Sequence, residues 1–184
     1  MARIGHIAGI VFGVIMIALS LLVTVETIVR KLFSVSLGGV DELSGYAIAI
    51  GAPLAFAIAS IEQSHIRINL LHMKLPLPAQ AVLNALAAIA VGALAVFFLT
   101  FTIGTVEDTL AYSSIAQTPW ATPLIYPQSI WLAASAFFAL VAVIIAGRAL
   151  WLLLSGDTDT LARGFGPERV EDELEAELED MTRR

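Results

Sequence analysis

Four long apolar stretches, separated by short polar gaps, fill the chain from about residue 7 to residue 154. No charged side chain occurs in the runs Ile7 to Val25, Leu43 to Ile61, Ala79 to Val106 and Thr109 to Gly147. A helix in a water-soluble domain carries a polar face, and these runs have almost none. The pattern therefore predicts helices that are solvated by lipid.

The fourth run is too long for one membrane span, since roughly 20 residues cross the hydrocarbon core. The segment from Thr118 to Pro127 contains three prolines, which an uninterrupted helix does not tolerate. We therefore predict an all-α integral membrane protein with four transmembrane helices. The expected spans are about 7–29, 42–62, 79–105 and 128–152 within a membrane domain 1–154, followed by an acidic tail 155–184.

Two polar segments lie outside the spans. In the segment 65–75, apolar and polar residues alternate irregularly, which predicts a short helix lying in the membrane interface after the second span. The tail is acidic between Glu168 and Asp180 and contributes much of the formal net charge of −6. Its apolar residues recur every four positions and permit a short helix there, although the composition favours a solvated tail over a docking motif.

The composition excludes several kinds of chemistry. The chain has no cysteine, so disulfides and thiolate metal sites are impossible. No basic cluster suggests a nucleic-acid partner. Ionisable groups, the usual mark of a transport pathway, are nearly absent from the spans, because Glu26, Glu62 and Arg148 all fall near predicted span ends. This favours an accessory membrane subunit that binds no cofactor itself.

A haem or quinone anchor is an alternative reading of a four-helix membrane unit. It would need histidines that face each other across the membrane interior. The chain has three histidines, His6, His65 and His72, and none is in the middle of a predicted span. This alternative is therefore disfavoured.

The distribution of lysine and arginine predicts the orientation. Basic residues before span 1, after span 2 and after span 4 place both termini and the gap 62–78 in the cytoplasm. Gaps 30–41 and 106–127 then face outside. The pair Arg30-Lys31 contradicts this rule, so we expect Arg30 to be paired there.

We predict an ion pair or network at the outer interface, which would fix helix 1 against helix 2. Glu26, Asp41 and Glu42 are the candidate partners of Arg30, because paired charges near a membrane cost less than lone ones. Trp131 and Trp151 are 20 positions apart, about 30 Å along a helix, which predicts one indole at each membrane interface.

Small residues recur on every span and predict the faces on which helices meet closely. They leave open whether those faces pack within the chain or against another membrane subunit. The sets are Gly9 and Gly13 in span 1; Gly51, Ala55 and Ala59 in span 2; Ala81, Ala85, Ala88, Gly92 and Ala95 in span 3; and Ala142 and Ala146 in span 4.

Several short motifs, taken in order, carry a family resemblance over about residues 5–152. They are Arg30-x-x-Phe33, Asp41-Glu42-Leu43-x-x-Tyr46, Gly51-Ala52, Glu62-x-x-His65-Ile66-Arg67-Ile68-Asn69 and Thr122-Pro123-Leu124-Ile125-Tyr126-Pro127. Together with the four-span topology they resemble the DctQ-like small membrane subunit of tripartite ATP-independent periplasmic (TRAP) transporters. The chain departs from that pattern at Lys31, Gly45 and Asn69, where an aromatic residue, arginine and aspartate are usual.

The resemblance implies a scaffold subunit in the bacterial inner membrane. Its partners would be a large DctM-like elevator subunit, which binds sodium, and a DctP-like periplasmic protein that delivers a small organic acid. The structural or interface candidates are then Arg30, Asp41, Glu42, Tyr46, His65 and Arg67, and Glu107 and Asp108 are candidates for docking the periplasmic protein. A subunit of a tripartite tricarboxylate transporter is the alternative.

Overall fold

The computed structural model describes residues 2–62, 72 and 74–166, and almost all of them are helical. The helices are α1 (Ala2–Phe33), α2 (Val40–Glu62), α3 (Leu77–Tyr112), α4 (Ile125–Leu154) and α5 (Thr158–Phe165). The first four are long and apolar enough to cross a membrane. The predicted fold class, an all-α protein with four membrane helices, is thereby confirmed. The predicted interfacial helix at 65–75 and the tail beyond residue 166 lie outside the described residues, apart from His72, Lys74 and Leu75.

Each helix extends beyond the span that the sequence predicts, most of all α3, which runs to Tyr112. The proline-rich run was expected to be a loop as far as Pro127, and that boundary is wrong. Helix α4 already begins at Ile125, so Pro127 lies in its first turn. Proline is tolerated there because a first-turn N–H has no partner within the helix.

The membrane helices form a row. The main contacts run from α1 to α2, from α2 to α4 and from α4 to α3, so α1 lies at one edge. One cluster of buried side chains joins α2, α3 and α4 through Ala57, Ala95 and Phe138. Since α1 packs mainly on α2, it leaves most of its apolar surface facing outward.

Small residues permit two of the helix contacts. A Cβ at Gly51 of α2 would overlap the Phe12 ring of α1, and a Cβ at Gly92 of α3 would lie 2.9 Å from Ala146 Cβ of α4. The small-residue prediction is correct for these positions. It is wrong for Gly9 and Gly13 as a contact face within this chain, because nothing lies within 4 Å of a Cβ at either.

Helix α5 lies against the end of the row where α4 finishes, which we call the tail end. Leu161 and Phe165, four residues apart, are buried against α3 and α4. The Asp157 carboxylate caps the helix by accepting a hydrogen bond from Thr160 N at 3.0 Å. Hydrogen bonds from Thr160 hold the pKa of Asp157 below its usual value. The first residues of the predicted tail are thus folded onto the membrane helices.

The threonine hydroxyls of α3 are satisfied by their own helix. Thr100, Thr102 and Thr105 donate to carbonyl oxygens three or four residues earlier, at 2.7–2.9 Å. This pairing removes the cost of placing a hydroxyl in an apolar environment. These groups therefore need no polar solute.

Candidate interaction site at the loop end

The opposite end of the row carries the two ordered loops, 34–39 and 113–124, and we call it the loop end. Two buried carboxylates, Glu26 and Glu42, organise it. Their partners Arg30, Tyr46 and Thr118 complete what we call the loop-end cluster.

Glu26 fixes the end of α1 to the loop that follows. Its side chain is nearly buried, with 3% of the residue exposed. Oε1 accepts hydrogen bonds from Arg30 Nε at 3.0 Å, from Arg30 Nη2 at 2.7 Å and from Ser36 Oγ at 2.7 Å. Oε2 accepts from the Leu37 backbone N–H at 2.8 Å. A carboxylate that receives four donors, one of them ionised, is a strong local tie.

Arg30 connects this tie to the start of α2. Its Nη2 lies 3.8 Å from Asp41 Oδ2, and 89% of the Asp41 side chain is exposed. An exposed pair at this distance contributes little stability. The predicted pairing of Arg30 is therefore present with Glu26 and Asp41, and Glu26 is the stronger partner. The predicted pairing with Glu42 is not among the described contacts of Arg30.

Glu42 instead connects α2 to the loop between α3 and α4. Only 7% of the residue is exposed. Its Oε1 accepts a hydrogen bond from the Tyr46 hydroxyl at 2.7 Å, one helical turn later. Its Oε2 accepts from the Thr118 hydroxyl, 76 residues away in sequence. A carboxylate near the first turn of α2 also suits the positive end of the helix dipole.

The same two loops meet at Gly39 and Trp120. Gly38 and Gly39 have φ values of 66° and 76°, which favour glycine. A Cβ at Gly39 would overlap the indole ring of Trp120, so the backbone approaches that ring closely. The carbonyl of Gly39 then accepts the N–H of Leu43 at 2.9 Å and starts α2.

The loop 113–124 is ordered by its own backbone. Ser113 ends α3 in the left-handed conformation, with φ 48°. Ala116 N donates to Thr122 O at 2.9 Å and Leu124 N donates to Ser114 O at 3.0 Å, on either side of an antiparallel bridge. The loop-end cluster therefore holds two ordered loops together as one surface.

Exposed aromatic residues lie on and beside this surface. Trp120 is half exposed, and Tyr112 and Tyr126 are more exposed still. Exposed apolar groups beside polar loops are common where a protein meets a membrane interface or a partner. Among the described residues, no group of three or more metal-ligating acids or histidines is present. The arrangement suits recognition rather than catalysis.

The remaining predicted site residues lie elsewhere. Glu107 and Asp108 are exposed near the C-terminal end of α3. Acidic groups there oppose the helix dipole, so helix stability does not explain them. Trp131 is partly buried near the start of α4, whereas Trp151 is exposed near its end.

Two further predicted site residues, His65 and Arg67, lie outside the described residues. Sequence reasoning also missed two features of the site. The contacts of Thr118 and of Trp120 join positions far apart in sequence, and only the Gly38-Gly39 pair hints at a close approach.

The comparisons with known proteins agree with this architecture. The family described as tripartite ATP-independent periplasmic transporters, DctQ component, matches residues 19–150, which contain the whole loop-end cluster. None of the curated proteins compared with the chain matches it. The family consists of transporter components and is not an enzyme family. Because the match spans well over half of the 184 residues, the resemblance is confirmed: the chain belongs to the DctQ family and is a small membrane component of a TRAP transporter.

Proposed function

We propose that this component is a scaffold subunit of a sodium-coupled TRAP transporter that imports a small organic acid across the bacterial inner membrane. It braces the large DctM-like subunit, which binds sodium and substrate, and helps to dock the DctP-like periplasmic protein. The observation that carries the proposal is the loop-end cluster. It spends its buried carboxylates on holding two loops together rather than on a path through the membrane.

The orientation follows from the charge rule. Lysine and arginine near the tail end place that end in the cytoplasm, so the loop end faces the periplasm. The Arg30 exception to the rule is supported by its pairing with Glu26, since a paired cation is a weaker retention signal than a free one.

The large subunit would cover apolar surface that this chain leaves open. The outward faces of α1, including Gly9 and Gly13, are long, apolar and without neighbours in the described part of the chain. Small residues let a neighbouring helix approach closely in lipid. Purification through a tag on this chain should recover the large subunit encoded beside its gene. Recovery of a tricarboxylate-type subunit instead would overturn the assignment of the partner.

The periplasmic protein would dock on the loop end, with Glu107 and Asp108 attracting basic groups. The test is uptake measured as a function of the concentration of the periplasmic protein. The double change Glu107→Lys and Asp108→Lys should raise the concentration needed for half-maximal uptake several-fold, most strongly at low salt.

The matched control is Glu62→Lys, a charge reversal at an exposed residue at the other end of α2. It should leave that concentration unchanged. If the double variant behaves like Glu62→Lys while the complex is intact, these acids do not take part in docking.

A further inference from the structure

A buried amide at the tail end has only one of its two polar ends paired. Asn84 of α3 is 5% exposed. Its Oδ1 lies 3.1 Å from His72 Nε2, so an N–H on that nitrogen donates to it. Its Nδ2 is buried and has no hydrogen-bond partner. A buried donor without an acceptor is costly and needs a partner.

The chain leaves α5 directly beside this unpaired donor. Phe165 is buried and holds the end of α5 against α3. The next residue is Gly166, where an added Cβ would lie 3.7 Å from Asn84 Nδ2. The docking of α5 therefore fixes the point at which the C-terminal segment begins.

The residues that follow carry the acceptors. Pro167 and Glu168 come directly after Gly166, and eight of the chain's sixteen acidic residues lie between Glu168 and Asp180. Two residues of extended chain span about 7 Å, which brings the Glu168 carboxylate within reach of Asn84. Lys74, exposed and two residues from His72, adds a cation beside the same place.

We propose that the acidic C-terminal segment 168–180 docks at His72 and Asn84, with the Glu168 carboxylate accepting a hydrogen bond from Asn84 Nδ2. This contact ties the tail to the segment that follows α2 and closes the tail end of the row. It is independent of the transport function proposed above.

The chain has no cysteine, so a crosslinking test can be made on the full-length protein. The double variant Lys74→Cys and Val170→Cys should form an intramolecular disulfide rapidly when mildly oxidised in lipid nanodiscs. The pair Ser36→Cys and Val170→Cys gives the background rate, because Ser36 lies at the loop end. A rate for the first pair that does not exceed this background would overturn the proposal.

Two matched changes in the Lys74→Cys and Val170→Cys background test the role of Glu168. Glu168→Gln should slow the crosslink about tenfold, since a charge-assisted hydrogen bond is lost. Glu177→Gln removes the same charge farther along the tail and should leave the rate unchanged. Equal slowing by both changes would mean general attraction between charges and would overturn the specific contact.

The donor is tested by Asn84→Asp, which keeps the shape of the side chain and replaces the donor with an acceptor. The crosslink should then slow at least as much as with Glu168→Gln, while the thermal unfolding midpoint shows whether the variant is folded. If folded Asn84→Asp crosslinks at the original rate, the partner of the amide is something else, such as a water molecule or a lipid phosphate. The proposal would then fail.

Discussion

At the scale of single residues, Glu26 is the strongest determinant of the loop end. One of its oxygens receives three side-chain donors and the other receives the Leu37 N–H. Such a carboxylate has no neutral substitute, because any amide in its place must point its NH₂ group at a donor. The same reasoning explains why an acid is buried so close to a membrane span.

Glu26→Gln should therefore lower the thermal unfolding midpoint of the purified protein and increase proteolysis in the loop 34–39. Asp41→Asn is the matched control, since Asp41 is exposed and makes one long contact with Arg30. The control should change neither measurement appreciably. Equal effects of the two changes would show that Glu26 is not the dominant tie.

Gly39 is the second residue on which the loop end depends. Gly39→Ala should destabilise the protein by about 1–2 kcal/mol from the left-handed backbone alone, with a further cost from overlap with Trp120. Adding Trp120→Ala should recover the steric part, which a double-mutant cycle of unfolding free energies measures.

Gly45→Ala, in the interior of α2 with open space around it, is the control and should be neutral or stabilising. If Trp120→Ala rescues nothing, the contact between the Gly39 backbone and the indole does not limit stability.

At the scale of secondary-structure elements, α3 and α4 form the closest helix pair through Gly92. Gly92→Val should cost about 1–3 kcal/mol, because Ala146 occupies the space that the new side chain needs. Gly104→Val in the same helix meets nothing within 4 Å and should cost less. Unfolding of both variants in one detergent compares them directly. Similar losses would mean that helix propensity rather than packing decides the effect.

Element boundaries show where sequence reasoning fell short. Hydropathy located all four membrane helices, because apolar length is a property of the sequence itself. It ended α3 too early at 105, since Glu107 and Asp108 look like a helix end although the backbone continues to Tyr112. A helix can continue past the hydrocarbon core, and hydropathy does not record that continuation.

At the scale of the whole molecule, the row of helices gives α1 the fewest supporting contacts. Its main neighbour is α2, and its anchor is the pairing of Glu26 with the following loop. Local stability follows the number of buried contacts. In detergent, hydrogen exchange should therefore be faster in the middle of α1 than in the middle of α3 or α4.

Addition of the large subunit should slow exchange in α1 if that edge is the one covered, because a partner stabilises the state it binds. Protection of α1 equal to that of α4 in the isolated protein would contradict the edge position. A partner that protects α3 alone would move the proposed contact to the other edge.

The sequence by itself determined the solvent, the number of membrane helices and the family, because these depend on hydropathy, charge and short motifs along the chain. It also singled out Arg30, Asp41, Glu42 and Tyr46 as important. Only the tertiary structure decided their partners: Arg30 pairs chiefly with Glu26, and Glu42 reaches Thr118 across 76 residues. The reason is physical, since a buried carboxylate takes whichever donors the folded chain brings to it, and these are set by helix packing rather than by neighbouring residues.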